Sequence, residues 1–117
     1  MIKLCKNYQQ FQELLQTSYR KPVFLLKHSS ACGISAGARE TFREFARNCT
    51  NADFWKVLVI EDRPLSLTIA EETGVPHKSP QVILFYEGQP VWHTSHWAIR
   101  HKKLKKALEK YIPAKVA

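Results

Sequence analysis

Apolar residues recur along this chain in two rhythms, short unbroken runs and three-to-four-residue spacing. Tyr8, Phe11, Leu14 and Leu15 fall at helical spacing and predict a helix over about 7–18, broken by Arg20-Lys21-Pro22. Val23-Phe24-Leu25-Leu26 is an unbroken run that suits a strand buried on both faces. The turn-rich stretch 29–33 feeds a second helix, where Ala38, Phe42, Phe45, Ala46 and Cys49 share one stripe over about 33–49. A second buried strand is expected over 56–60 (KVLVI), then a short helix over 65–73 closed by Gly74. The loop 75–80 leads through Gln81 into a third strand, 82–86; Glu87-Gly88 is a hairpin turn and 89–95 a fourth strand. A last helix is expected over about 97–111, with Leu104, Ala107, Leu108 and Tyr111 inward and its lysines outward.

The resulting order is helix, strand, helix, strand, helix, strand, strand, helix. A βαβ unit followed by a hairpin and a closing helix gives an α/β fold, with a four-stranded mixed sheet flanked by helices on both faces. The 117 residues suit a single domain, 1–117. A 44% hydrophobic and 24% charged composition excludes wholesale disorder, and three cysteines are too few for a disulfide-stapled miniprotein. No apolar stretch approaches the ~20 residues of a membrane span. The polar start MIKLCKNYQQFQE has no signal-peptide character, so a reducing cytoplasm is expected.

Charge changes the picture only at the end of the chain. The net charge is +8, and residues 96–117 alone hold seven Lys and Arg against Glu109, or +6. Such a segment suits an acidic partner or nucleic acid, or is simply a solvated helix face. Without a motif that reads bases, nucleic acid is not the expected partner, and the aromatic residues beside the segment sit where a core needs them. The five histidines are scattered, and no Cys/His spacing suits a metal.

Chemistry concentrates at Cys32, which follows the first buried strand and precedes a helix. Free N–H groups and the dipole of a helix N-terminus favour a thiolate, the nucleophile of thiol–disulfide exchange. In the C-x-x-S string Cys32-Gly33-Ile34-Ser35, the Ser35 hydroxyl lies one turn along, within reach of the sulfur. Serine there cannot close an internal disulfide, so a mixed disulfide on Cys32 needs an outside thiol for release. The bland alternative is a small buried residue. Pro80, directly before the third strand and after polar Ser79, suits a cis turn facing the cysteine loop, although an ordinary loop proline fits too. Cys49 reads as core, too far along the second helix to resolve a Cys32 disulfide, and Cys5 as a cysteine with no assigned place. His28 either helps hold a thiolate or makes a structural contact. Lys27 and Lys78 either attract the carboxylates of an anionic thiol or are solvated.

Together these residues resemble the thioredoxin superfamily. More narrowly, Leu26-Lys27-His28-Ser29 leading to Cys32-Gly33-Ile34-Ser35-Ala36, with His77-Lys78-Ser79-Pro80-Gln81, Val91-Trp92 and His96, resembles the YtxJ-type monothiol bacilliredoxins over nearly the whole chain. The resemblance implies a thioredoxin-like fold and a monothiol thiol–disulfide oxidoreductase. By the same resemblance, Cys32 would take bacillithiol, or a similar small thiol, from S-thiolated client proteins, with Ser35 beside it. It implies substrate contacts at Gly33, Ile34, Ser79, Pro80, Lys78 and His28, and no tightly bound cofactor or metal. The family usually carries proline after the cysteine; Gly33 here loosens the first helical turn. The rival reading is a non-catalytic binding module using the Pro80 loop and the basic last helix.

Overall fold

The computed structural model describes residues 1–30 and 33–112. Five strands run β1 (Ile2–Leu4), β2 (Val23–His28), β3 (Asp53–Leu58), β4 (Gln81–Tyr86) and β5 (Gln89–Ser95). They form one sheet in the order β1-β3-β2-β4-β5. The β1–β3 and β2–β3 pairs are parallel; β2–β4 and β4–β5 are antiparallel. Four α-helices cover it: α1 (Tyr8–Thr17), α2 (Gly33–Arg47), α3 (Arg63–Thr73) and α4 (His101–Glu109). A 3₁₀ turn, His96–Ala98, precedes α4.

Every residue of β2 is buried, because both faces of the sheet are covered. Its even positions, Phe24 and Leu26, pack with Ala38 and Phe42 of α2 and Leu104 and Leu108 of α4. Its odd positions, Val23 and Leu25, pack with Phe11 and Leu14 of α1 and Leu65 and Ile69 of α3. The first layer is rich in rings. Phe24 stacks on Phe54 at 5.4 Å between centroids, and Phe42 and Phe45 meet Phe54 edge-on. Such pairs contribute about 1 kcal/mol each beyond their buried area.

Local signals explain the element ends. The Asn7 side chain accepts the Gln10 N–H at 2.9 Å and starts α1, while the Gln10 side chain accepts the Lys6 N–H at 2.7 Å. Gly74, at φ 75°, closes α3 by donating its N–H to Ala70 O. Glu87 and Gly88, at φ 52° and 78°, form the two-residue hairpin turn whose backbone twist matches its strands. A register shift between Leu84 and Phe85 leaves Val91 as an extra residue on β5.

Several boundaries differ from expectation. The sheet has five strands rather than four: β1 is only three residues long and pairs in parallel with β3, too short to show a period of its own. The second predicted strand begins at Asp53, not Lys56. Asp53 looks like a breaker, but its carboxylate accepts from Lys3 Nζ at 3.2 Å and Trp55 Nε1 at 3.1 Å. That frees Phe54 and Trp55 to pack, while Ile60 turns outward, 56% exposed. β2 runs on through Lys27 and His28, both buried. The last predicted helix is broken, because Ile99 leaves helical geometry (ψ 95°) to enter the core between the 3₁₀ turn and α4. Trp97 is consequently no core residue: it is 72% exposed. Tyr8 also leaves its stripe, its hydroxyl donating to Glu72 at 3.0 Å.

Candidate active site

Because β4 runs antiparallel to β2, the carboxyl end of β2 lies beside the amino end of β4, and Lys27 faces Gln81. The connection leaving β2 and the loop entering β4 therefore meet at one edge of the molecule. The chain leaves β2 at His28 and enters α2 at Gly33. Cys32 lies in that short connection, outside the described residues. The first turn of α2 is anchored to the end of β2: the buried Ser35 hydroxyl accepts the Ser29 N–H at 3.3 Å. Gly33 is exposed and Ile34 half-buried. On the facing side the Ser79–Pro80 peptide bond is cis. Pro80 is buried, and its carbonyl accepts the His96 N–H at 3.0 Å. Ser79 is half-buried, its Oγ buried with no hydrogen-bond partner among the described residues. Lys78 is exposed and solvated.

The other expected residues divide by face. His28 is buried and its Nδ1 has no hydrogen-bond partner among the described residues. Burial, then the charges of Arg39 and Lys56, hold His28 below the ordinary imidazole range against an opposing pull from Glu61. Lys27 is not solvated. It is completely buried on the α3 side of the sheet, its ammonium without a hydrogen-bond partner among the described residues, and burial lowers its pKa from 10.5 to about 8. Beside it lies a polar layer invisible to motif reading. Ser66 Oγ and His77 Nδ1 share a hydrogen bond of 3.2 Å, and Gln81 Nε2 donates to Pro76 O at 3.0 Å. His77 is held below its usual range by burial and then by the charges of Lys27 and Arg63. The sequence signal for this layer is a lysine placed directly after the apolar run Val23–Leu26, still within the strand.

The remaining cysteines are distant in chemistry or in space. Cys5 is buried in the α1–α3 layer, and burial with the nearby Asp62 and Glu13 carboxylates pushes its thiol up to about 12. It is therefore protonated at neutral pH and no nucleophile. Cys49 lies beyond the far end of α2, whose 15 residues span about 22 Å, and it is half-buried rather than fully enclosed. Among the described residues no group of three or more His, Cys, Asp and Glu could hold a metal ion.

Known proteins of similar sequence and shape agree with this geometry. The sequence profile of the monothiol bacilliredoxin BrxC matches residues 3–104. A solved thioredoxin-fold protein proposed to be an oxidoreductase is 35% identical, covering 91% of this chain and 92% of its own, with a TM-score of 0.81. A thioredoxin from Malassezia sympodialis is 22% identical, covering 95% of this chain and 90% of its own, with a TM-score of 0.75. A mutant thioredoxin from Halobacterium salinarum is 21% identical over the same shares, with a TM-score of 0.76. The last two likenesses concern the fold, which is thioredoxin-like.

Proposed function

This chain belongs to the monothiol bacilliredoxin family, a family of thiol redox proteins, and on that premise we propose that it removes bacillithiol from S-thiolated client proteins through Cys32. One observation carries the choice of Cys32. Of three cysteines, Cys5 is a buried, protonated thiol and Cys49 lies past the opposite end of α2. The cysteine that remains directly precedes the first residue of α2, where thiolates are favoured.

The Cys32 thiolate attacks the bacillithiol sulfur of the client disulfide. The client–bacillithiol S–S bond breaks as the Cys32–bacillithiol bond forms, and the client leaves as a thiolate that takes a proton from water. A second thiol then attacks the bacillithiol sulfur, leaving with it as a disulfide and returning Cys32 as thiolate. Ser35 keeps α2's first turn on the end of β2, and cannot trap Cys32 in an internal disulfide. In this reading Gly33, Ile34, Ser79, Pro80 and His28 contact the thiol conjugate, and exposed Lys78 attracts its anionic groups. No tightly bound cofactor takes part. The cytoplasm is the fitting compartment for such exchange; no helix of the described residues is long and apolar enough to cross a membrane.

The test is intact-mass analysis after mixing the protein with a bacillithiolated client. We expect a Cys32–bacillithiol adduct and a freed client thiol, both absent in Cys32→Ser. Client release unaffected by that substitution, or none from the native chain, rejects the reading. Retained client binding without any release would favour a non-catalytic module.

A further inference from the structure

The last helix, α4, sorts its charges by flank, while Leu104, Ala107 and Leu108 face the core. On the flank toward the end of α2, Lys105 and Glu109 stand four residues apart, a favourable spacing for opposite charges. On the flank toward β5, Lys103, Lys106 and the capping Lys110 follow one another three and four residues apart. With Trp92 of β5 and Ala107 they line a groove of about 260 Å³ that holds no acidic residue. All three lysines are exposed, and none makes an ion pair among the described residues. Same-sign charges at these spacings destabilise a helix. The helix dipole favours Lys106 and Lys110 near the carboxyl end, but it opposes Lys103 in the first turn, where no acid offsets it. The floor of the groove is apolar. Trp92 is half-buried against the α2–α4 core layer and Ala107 is buried, and the lysine stems add hydrocarbon walls. A merely solvated helix face needs no indole between its cations.

We propose that this groove docks an acidic segment of a partner protein. One apolar side chain of that segment enters over Trp92, and carboxylates on either side of it meet Lys103, Lys106 and Lys110. Two features favour a protein over nucleic acid. A single strand is held by successive bases on several exposed aromatic faces. Here there is one indole, and part of it is turned into the core. Lys103 to Lys110 also span only about 10 Å of helix, too short to follow a phosphate backbone over several nucleotides. The surface goes beyond the oxidoreductase reading and does not depend on it, since none of its residues is among the thiol contacts.

The test is fluorescence anisotropy with three labelled probes: a short peptide of glutamates around two leucines, the same peptide with serines for the leucines, and an oligothymidylate of equal length. The leucine peptide should bind the native chain, and about tenfold more weakly the triple variant Lys103→Gln, Lys106→Gln, Lys110→Gln. Changing Lys6, Lys102 and Lys105 to Gln removes the same charge elsewhere and should alter Kd by less than about twofold. The serine peptide should bind the native chain about fivefold more weakly than the leucine peptide, and Trp92→Ala should erase that difference. Should Trp92→Ala not fold, the peptide pair on the native chain still reads the apolar contact. Equal losses in the two triple variants would mean attraction by net charge alone and overturn the proposal. So would no binding of either peptide, or equal binding of both. Oligothymidylate binding tighter than the leucine peptide, and lost in the Lys103, Lys106 and Lys110 variant, would give the groove to nucleic acid instead. Cys32→Ser should bind the leucine peptide as the native chain does, so this proposal and the oxidoreductase reading fail separately.

Discussion

Lys27 and Gln81 face each other across β2 and β4, and each buries a polar atom, Nζ and Oε1, that has no hydrogen-bond partner among the described residues. An ammonium enclosed without a carboxylate destabilises the fold, and the lowering of its pKa from 10.5 to about 8 reports that cost. The unfolded chain binds more protons than the folded one between those values. The penalty is therefore full below about pH 8 and fades as pH rises to 10.5. Lys27→Met should raise stability by on the order of 2 kcal/mol at pH 7, with a much smaller gain at pH 10.5. Urea unfolding of both proteins at the two pH values measures this. An equal gain at both, or a loss at pH 7, would show that the amine is not strained by burial.

The same substitution should be felt at His77. The charge of Lys27 is, after burial, the largest influence holding that imidazole down. Removing it should raise the His77 pKa toward, without reaching, the ordinary 6.5. An NMR titration of the ring protons in the native chain and Lys27→Met reads the shift, and an unchanged midpoint would separate the two side chains electrically.

Cys5 should behave as a core residue rather than a thiol reagent. With its pKa pushed from 9.0 to about 12, the neutral form is favoured on folding. Its contribution to stability is thus complete below pH 9 and is lost between 9 and 12. An alkylating reagent at pH 8 should leave Cys5 untouched in the folded chain and modify it in urea. Labelling of Cys5 at a rate comparable with Cys32 would contradict its burial.

At the hairpin, Gly88→Ala should cost about 1 kcal/mol because φ 78° strains any residue with a Cβ. The new methyl also meets the Tyr19 phenol, but that ring is exposed and can move. Thermal unfolding should show Gly88→Asn less damaging than Gly88→Ala, since asparagine tolerates this conformation, and the added Tyr19→Ala should restore little. Full rescue by Tyr19→Ala would mean collision, not backbone strain, sets the cost.

Much of the architecture was legible from residue pattern alone. Continuous apolar runs marked β2 and β4, the Ala38-Phe42-Phe45 stripe marked α2, and Glu87-Gly88 marked the hairpin. What escaped had physical causes. Three residues of β1 are too few for periodicity. Asp53 hid the start of β3 because only the folded chain brings Lys3 and the Trp55 indole to its carboxylate. Ile99 broke a helix whose lysines and leucines all lie after it, from Lys102 onward, so nothing in the pattern before it marked the break. For the site, Cys32, Ser35 and Pro80 carry local strings, so they could be singled out; Cys32 itself lies outside the described residues. By contrast, Ile34 and Gly37 of α2 line one groove with Trp97 and Arg100, and no string could have shown it, since the two walls are some sixty residues apart in sequence.

The extra residue in β5 has a consequence at the molecule's border. The free strands of partly unfolded chains zip onto any long bare sheet edge they meet. Here one edge is three residues long, and the other is kinked at Val91 beside Pro90, which has no N–H to offer. Neither gives a long template, so an extended strand that meets this molecule finds little backbone to pair with.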